Sequence, residues 1–353
     1  MFPEAFVEKW VSRLTEPGDL VADPFSGRGT SAFQALLDGR RALACDVNPV
    51  AFTLTKAKTN APSRRSVLIR IDELERQYGS SVQRIPWSGP AIAPNSEFFK
   101  LAFSAATLRQ LLFLRAALNI QASDQDCMLA ALVLGALHGE SSSARYLSNQ
   151  MPRTISTKPG YSVRFWQQHK LKPPERDVFA VLRRAVDFRY VSPPPQRKAR
   201  VLLEDMRELP RRVPAGKVKL VVTSPPYLDT TSFEEDQWLR LWFLGGSPHP
   251  TKGVVSRDDR LHTRDAYWQL IADLWRSLGH LVAENGHVVI RIAGRGMTTD
   301  ELRTGLEGTG RLSGRDVKLR TVETSPLVGR QTDAFRPGST GVRTEVDCHF
   351  QVS

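Results

Sequence analysis

Leu20-Val21-Ala22-Asp23-Pro24-Phe25-Ser26-Gly27-Arg28-Gly29-Thr30 carries a short apolar run into a turn with two glycines, and the run from Thr30 to Leu37 is spaced as a helix that Asp38-Gly39 closes. Glycine at a strand-to-helix turn tolerates positive φ and lets the backbone approach a ligand closely. Alone, Gly-x-Gly fits NAD, FAD or any tight turn. It gains weight from Ala42-Leu43-Ala44-Cys45-Asp46, a second expected strand ending in an acid, where α/β nucleotide-binding folds place a ribose-binding carboxylate. Asp46 also reads as a helix cap before Asn48-Pro49. Asp23-Pro24-Phe25 stands where a dinucleotide fingerprint would begin and no third glycine follows, so no pyrophosphate is asked to sit on the helix N-terminus.

A second decisive stretch lies far downstream. Val218-Lys219-Leu220-Val221-Val222-Thr223 becomes continuously apolar, as a buried parallel strand does, and Ser224-Pro225-Pro226-Tyr227 ends it. Proline has no N–H for a sheet ladder, so the chain must leave the sheet at Ser224, at the strand's carboxyl end, where open α/β sheets bind ligands. Around these two stretches, Pro3 to Leu14 reads as an amphipathic helix, Ala199 to Leu203 as a strand ending at Glu204-Asp205, and Phe233 to Phe243 as an aromatic helical stretch. A helix from Ala266 to Ala283 leads through an Asn285-Gly286 turn to a strand at His287 to Ile292. Thr298 to Leu306 is helical, and Val317 to Val322 with Glu345 to Val352 make a final antiparallel pair.

Residues 61–198 differ in composition. Helices are expected near Ile71 to Tyr78, at Ala105 to Leu118, at Asp124 to His138 with Ser123 as its cap, and at Pro174 to Phe188. The Asp124 helix is apolar nearly all round and therefore core. Leu137 to Ser162 shows no period. From there on, Arg145, Arg153, Lys158, Arg164, Lys170 and Lys172 interleave with Tyr146, Tyr161, Phe165 and Trp166. Cations among aromatics suit phosphate contact and base stacking, and equally a solvated basic loop packed on its own rings. The spacer Ser192 to Lys198 reads as a semi-rigid linker.

The 353 residues carry 49 Lys and Arg against 37 Asp and Glu, a net charge of +12, which favours a polyanionic partner and also serves solubility. Three cysteines without Cys-x-x-Cys spacing and seven scattered histidines suggest neither a disulfide framework nor a metal site. Met1-Phe2-Pro3-Glu4 does not read as a signal peptide, and the longest apolar run, Met128 to Leu137, is too short for a bilayer, so a soluble cytoplasmic protein with no membrane partner is expected.

Ser224-Pro225-Pro226-Tyr227 after an apolar strand resembles the catalytic loop of the DNA amino-methyltransferases, which modify N4 of cytosine or N6 of adenine. The Asp23-to-Thr30 turn resembles the loop by which that family holds S-adenosyl-L-methionine, and Asp46-Val47-Asn48-Pro49 matches its wording after the second strand. The resemblance implies an α/β, Rossmann-like methyltransferase fold: a seven-stranded, mostly parallel sheet with an antiparallel last strand, plus a mainly helical inserted domain. It implies a catalytic domain of residues 1–60 and 199–353, and a DNA target-recognition region at 61–198. Cofactor positions fall on Asp23, Pro24, Phe25, Ser26, Gly27, Gly29, Thr30, Asp46, Asn48, Asp205 and Thr223, with Asp205 near the adenine or simply a helix-capping acid. Catalytic positions fall on Ser224, Pro225, Pro226 and Tyr227. Serine at the head of the loop is commoner among cytosine-N4 enzymes. The implied activity is therefore N4 methylation of cytosine in double-stranded DNA, nucleoid-associated, beside a restriction endonuclease or phage-defence subunits. Adenine N6, guanine N2 of RNA and a non-catalytic DNA-binding partner are the alternatives. Arg330, Arg336 and Arg343 are expected to touch DNA. The order of parts, with the cofactor loop before the catalytic loop, reverses the usual cytosine-N4 arrangement.

Overall fold

A computed structural model describes residues 3–81, 89–139, 143–149, 158–228, 232–258, 262–326, 342 and 344–353. Arg153, Arg330, Arg336 and Arg343 lie outside the described residues. The chain opens with α1 (Glu4–Leu14), β1 (Leu20–Asp23), α2 (Thr30–Leu37), β2 (Arg41–Asp46) and α3 (Pro49–Thr59). Helices α4 (Arg64–Ser81), α5 (Ser96–Ala102), α6 (Ala105–Ala117), α7 (Asp124–Ala136), α8 (Pro159–Gln168) and α9 (Val178–Arg189) follow. Then come β3 (Arg200–Leu203), α10 (Leu209–Arg212), β4 (Val218–Thr223), α11 (Phe233–Asp236), α12 (Trp238–Phe243) and α13 (Arg264–Leu281). The chain closes with β5 (Val282–Ile292), α14 (Thr299–Gly310), β6 (Val317–Pro326) and β7 (Thr344–Val352).

Two compact units result. The first comprises residues 1–55, 197–231 and 255–353 and holds one seven-stranded sheet in the order β3-β2-β1-β4-β5-β7-β6. Strands β1 to β5 are mutually parallel, and β7 runs antiparallel to both of its neighbours, β5 and β6. This is the expected methyltransferase sheet. Successive side chains of a strand point to opposite faces. Val21, Ala42, Ala44, Leu220 and Val222 accordingly pack with Val7, Trp10, Val11, Ala32 and Ala35 of α1 and α2. Ala22, Leu43, Cys45, Val221, Val288 and Ile290 belong to the other core, with Leu274, Trp275 and Leu278 of α13 and Leu302 and Leu306 of α14. Covering both faces explains why these strands read as unbroken apolar runs.

The order matters most at its centre. β1 pairs β4 directly (Val21 with Leu220, Ala22 with Val221), while the chain leaves β1 toward β2 on one side and β4 toward β5 on the other. Their carboxyl ends form the topological switch point, the crevice where such sheets bind ligands.

Several expectations change at the boundaries. Asn285-Gly286 is not a turn before the strand but lies inside β5, which starts at Val282. The register jumps from Val218–Val282 to Leu220–His287, and Asn285 takes φ +54°, so the extra residues are absorbed as a bulge. β6 continues to Pro326. α9 begins at Val178 rather than Pro174, because the Asp177 side chain caps it by accepting from the Phe179 N–H. The aperiodic stretch ends earlier than Ser162, since α8 starts at Pro159.

The second unit comprises residues 56–196 and, unlike the expected insert, also 232–254. The reason is aromatic packing. Trp238 lies 5.0 Å from Phe98 and Trp242 4.5 Å from Phe99, and Trp242 Nε1 donates to the Ala91 carbonyl at 2.6 Å. Arg115 Nε donates to the Trp242 carbonyl at 2.8 Å. Trp166, a candidate for base stacking by its place among cations, is fully buried against Phe98 at 5.3 Å and belongs to this core. The Tyr146 ring lies over Gly139, where an added Cβ would come within 2.4 Å of it. Tyr161, Arg145, Lys158, Arg164, Lys170 and Lys172 are exposed. Ser123 caps α7 as expected, accepting from the Asp126 N–H at 3.1 Å. Among the described residues no helix is long and apolar enough to cross a membrane, and no cluster of His, Cys, Asp or Glu is placed to hold a metal ion.

Candidate active site

The glycine turn is built on two carboxylates. Asp23, buried at the end of β1, accepts from the Phe25 N–H at 3.1 Å and from Thr223 Oγ1 at 2.7 Å through one oxygen, while Ser31 Oγ lies 2.7 Å from the other. Burial pushes the Asp23 carboxyl up to about 6 against the pull of these donors. Because Thr223 ends β4, its bond to Asp23 ties the carboxyl ends of β1 and β4 together. Asp23 and Thr223 are thus braces, facing each other inside the fold.

Asp46, half-buried at the end of β2, accepts from the Gly27 N–H and the Asn48 N–H, each at 2.9 Å. Each oxygen retains a further lone pair. Burial, assisted by the negative charge of Asp23, pushes the Asp46 carboxyl up to about 6 as well. The helix cap at this point is Asn48, whose Oδ1 accepts from the Val50 N–H at 2.8 Å and so starts α3.

Gly27 and Gly29 take φ +51° and +77°, the left-handed region that Cβ disfavours. At Gly29 a Cβ would also come within 2.8 Å of Thr55 Oγ1 and 3.0 Å of its Cα, so the turn needs glycine there for space too. Pro24 is buried, Phe25 packs partly against the core beneath the sheet, and Thr30 opens α2. Ser26 is held through its backbone by the Cys45 carbonyl at 3.0 Å, yet its buried Oγ has no hydrogen-bond partner. A buried hydroxyl without a partner is costly, and beside a glycine turn it marks a place for a polar ligand.

Asp205 has both oxygens engaged once, as Asp46 does. One oxygen caps the short 3-10 turn Met206–Glu208 through the Arg207 N–H at 2.9 Å, and the other pairs with Arg207 Nη1 at 2.7 Å. The same guanidinium reaches Asp258 and Asp273, both at 2.8 Å. Asp205 thus caps this turn, and each of its oxygens retains a further lone pair.

On the other side of the switch point, Pro225 is buried, Pro226 exposed, and Ser224 and Tyr227 half-buried. Ser224 Oγ donates to Tyr227 Oη at 3.3 Å, and Tyr227 Oη donates to Glu345 Oε1 at 2.7 Å. Glu345 Oε2 pairs with Arg291 Nη1 at 3.2 Å, and Arg291 binds Asp347 through two bonds of 2.6 and 2.7 Å. Arg291, Glu345 and Asp347 are all buried, and the guanidinium sits 4.0 Å from the Phe6 ring centroid. Burial is the main reason the Tyr227 phenol is held well above its ordinary range, with Glu345 adding to it. Beyond Tyr227, Leu228 bridges to Gly294 and its carbonyl accepts from the Arg295 N–H at 3.3 Å, which fixes the exit of the loop.

Sequence reasoning missed Arg291, Glu345 and Asp347. The signal was there in part: three charges interrupt two strongly apolar strands. Only the β5–β7 register, which sets Arg291 opposite Asp347, shows that they meet.

The DNA methylase family model N6_N4_Mtase matches residues 1–57, the segment from α1 through the glycine turn and Asp46 into α3. No curated protein matches the chain in sequence. Among solved structures it is similar to TrmN from Thermus thermophilus (10% identity, TM-score 0.38, all of this chain and 49% of that one). It is similar to a candidate DNA modification methylase from the same organism, complexed with S-adenosyl-L-methionine (20% identity, TM-score 0.24, 42% of this chain and 52% of that one). It is also similar to the rRNA methyltransferase aviRa from Streptomyces viridochromogenes (13% identity, TM-score 0.33, 99% of this chain and 85% of that one). The chain thus spans about half the length of the first two. At such identities and TM-scores, function has to be read from the site's own residues.

Proposed function

We propose that this chain is an S-adenosyl-L-methionine-dependent methyltransferase that modifies the exocyclic N4 of a flipped-out cytosine in double-stranded DNA. It would act at a short recognition sequence, as enzymes do that accompany a restriction endonuclease or a phage-defence system. The observation that carries this reading is the bond from Thr223 to Asp23, through which the glycine turn and the Ser-Pro-Pro-Tyr loop leave the sheet side by side.

The turn fits the cofactor. Ser26 Oγ lacks a partner, Gly27 and Gly29 keep the backbone bare, and Asp46 has lone pairs left for two ribose hydroxyls. Phe25, Ser26, Gly27, Gly29, Thr30 and Asp46 would hold it, with Asp23, Pro24, Asn48 and Thr223 keeping the turn in shape. When bound, it supplies a methyl group on an already electrophilic sulfonium. What the protein must add is alignment. An exocyclic amine is a poor nucleophile because its lone pair is delocalised into the ring. Accepting its N–H bonds at Ser224 Oγ and the Pro225 carbonyl would draw the nitrogen toward tetrahedral geometry, while the Tyr227 ring stacks on the base. Orientation of this kind supplies several kcal/mol of a barrier. Ser224 is no base at neutral pH, so the amine proton leaves late, to solvent.

The base must leave the duplex first, at a cost that backbone contacts offset. The net charge of +12 and the exposed cations of the second unit support DNA as partner and that unit as the region that reads sequence. The test is incubation of the purified protein with isotopically labelled S-adenosyl-L-methionine and unmethylated bacterial DNA, followed by digestion and mass spectrometry of the nucleosides. Label in N4-methylcytosine is expected. Label in N6-methyladenine would overturn the choice of base, and label only in added RNA would overturn DNA as substrate.

A further inference from the structure

Resting on that reading and deepening it, we infer that Glu345, held by Arg291, is a positioning residue that fixes the polarity of the Ser224 hydroxyl. It thereby selects a base edge that offers an amine over one that offers a keto oxygen.

The protons along Glu345, Tyr227 and Ser224 can point only one way. A carboxylate paired with a guanidinium accepts and does not donate. Glu345 has one oxygen on Arg291 and the other 2.7 Å from Tyr227 Oη, so the single phenolic proton of Tyr227 points to Glu345. Tyr227 Oη then has only lone pairs to show Ser224, and the single proton of Ser224 points to Tyr227 at 3.3 Å. That contact is long for an O–H···O bond, and such contacts commonly tighten when substrate binds. What remains on Ser224 Oγ toward the crevice is lone pairs. An N–H of an exocyclic amine is matched to them. A keto oxygen meets acceptor against acceptor, and an unpaired buried acceptor costs more than a hydrogen bond gains.

The geometry gives the relay a rigid end. Arg291 is gripped by two bonds from Asp347 and covered by the Phe6 ring, so Glu345 cannot turn its charge elsewhere without leaving a buried guanidinium half paired. Strand register supplies this anchor: β7 brings Glu345 and β5 brings Arg291, both remote in sequence from the loop they orient.

The experiment compares wild type, Glu345→Gln, Tyr227→Phe and the double variant, with labelled S-adenosyl-L-methionine and unmethylated bacterial DNA. Cofactor binding is followed by calorimetry and folding by thermal unfolding. Glu345→Gln should lower kcat by at least about tenfold, with KM for DNA and cofactor affinity changed less than about twofold. Tyr227→Phe leaves the Arg291 ion pairs intact, so it reads the relay even if Glu345→Gln folds poorly, and it should lower kcat similarly. The double variant should be no worse than the poorer single one, since one chain is cut in either place. Unchanged kcat in either single variant, or multiplying effects in the double, overturns the inference alone. A wild type that methylates no nucleic acid overturns the functional reading and the inference with it.

Discussion

The two loops at the switch point are both anchored by carboxylates, but in opposite ways. Asp23 and Asp46 hold the glycine turn with neutral N–H and O–H donors. Glu345 holds the Ser-Pro-Pro-Tyr loop with a guanidinium already bound to its far side. A carboxylate held by neutral dipoles in a buried place keeps a raised pKa, and both acids of the turn are pushed to about 6. The glycine-turn side of the site is therefore open to protons near neutrality, while the Ser-Pro-Pro-Tyr side carries a guanidinium within the fold. Binding and turnover should respond separately to mutation and to pH.

The sharpest way to break this division is Ser224→Ala and Tyr227→Ala. Each should reduce methyl transfer by about two orders of magnitude or more through lost orientation, with cofactor affinity by calorimetry near wild type. A parallel loss of cofactor binding would merge the two loops into one functional element. The reverse experiment is Asp46→Ala. Charge-assisted hydrogen bonds contribute about 1.5 to 3 kcal/mol each, so cofactor affinity should fall about tenfold or more. At saturating cofactor, kcat should change far less.

Acid sharpens the same contrast. In the proposed role Asp46 would accept the ribose hydroxyls best when ionised, so cofactor affinity should be full well above pH 6 and decline as pH falls through 6, by about tenfold between pH 7 and 5. Calorimetry at the two pH values checks it, with Asp46→Asn, in which of the turn's two acids only buried Asp23 still titrates in this range, as the control that should lose most of the pH dependence. The smallest effect is expected from Thr223→Val, which removes one of the donors to buried Asp23. A cost of about 1 to 3 kcal/mol should appear as a fall of several degrees in Tm. A Tm unchanged by that substitution would remove the strap between β1 and β4 from the account.

How far could these features be read from residues alone? The central strands could, because burial on both faces writes itself as continuous Val, Leu and Ala. The turn could as well, because positive φ at Gly27 and Gly29 restricts the residue types allowed. The α7 cap followed from local chemistry between Ser123 and Asp126. What failed was long-range. Trp238 and Trp242 lie just past the Ser224-to-Tyr227 loop in sequence but pack on Phe98 and Phe99, and nothing local distinguishes that core from the other. Trp166 sits among cations along the chain and inside a core in space. Asn285-Gly286 has the composition of a turn, and only the pairing of Gly286 with Val352 of β7, with the β4 ladder resuming at His287, holds it within a strand. The Arg291 cluster depended on register, which alternation within one strand does not specify between strands.

One bond has a consequence for how such a chain can vary. Thr223 meets Asp23 across 200 positions of sequence, so the site is closed by a loop that contains most of the second unit. The entropy of closing a loop grows only with the logarithm of its length, about 0.6 kcal/mol per doubling. The sheet is therefore nearly indifferent to how much polypeptide is spliced between its two halves. Inserted modules of very different sizes could be exchanged there while Asp23 and Thr223 went on joining the two loops; under the proposed function, specificity would be free to diverge while the chemistry stayed fixed.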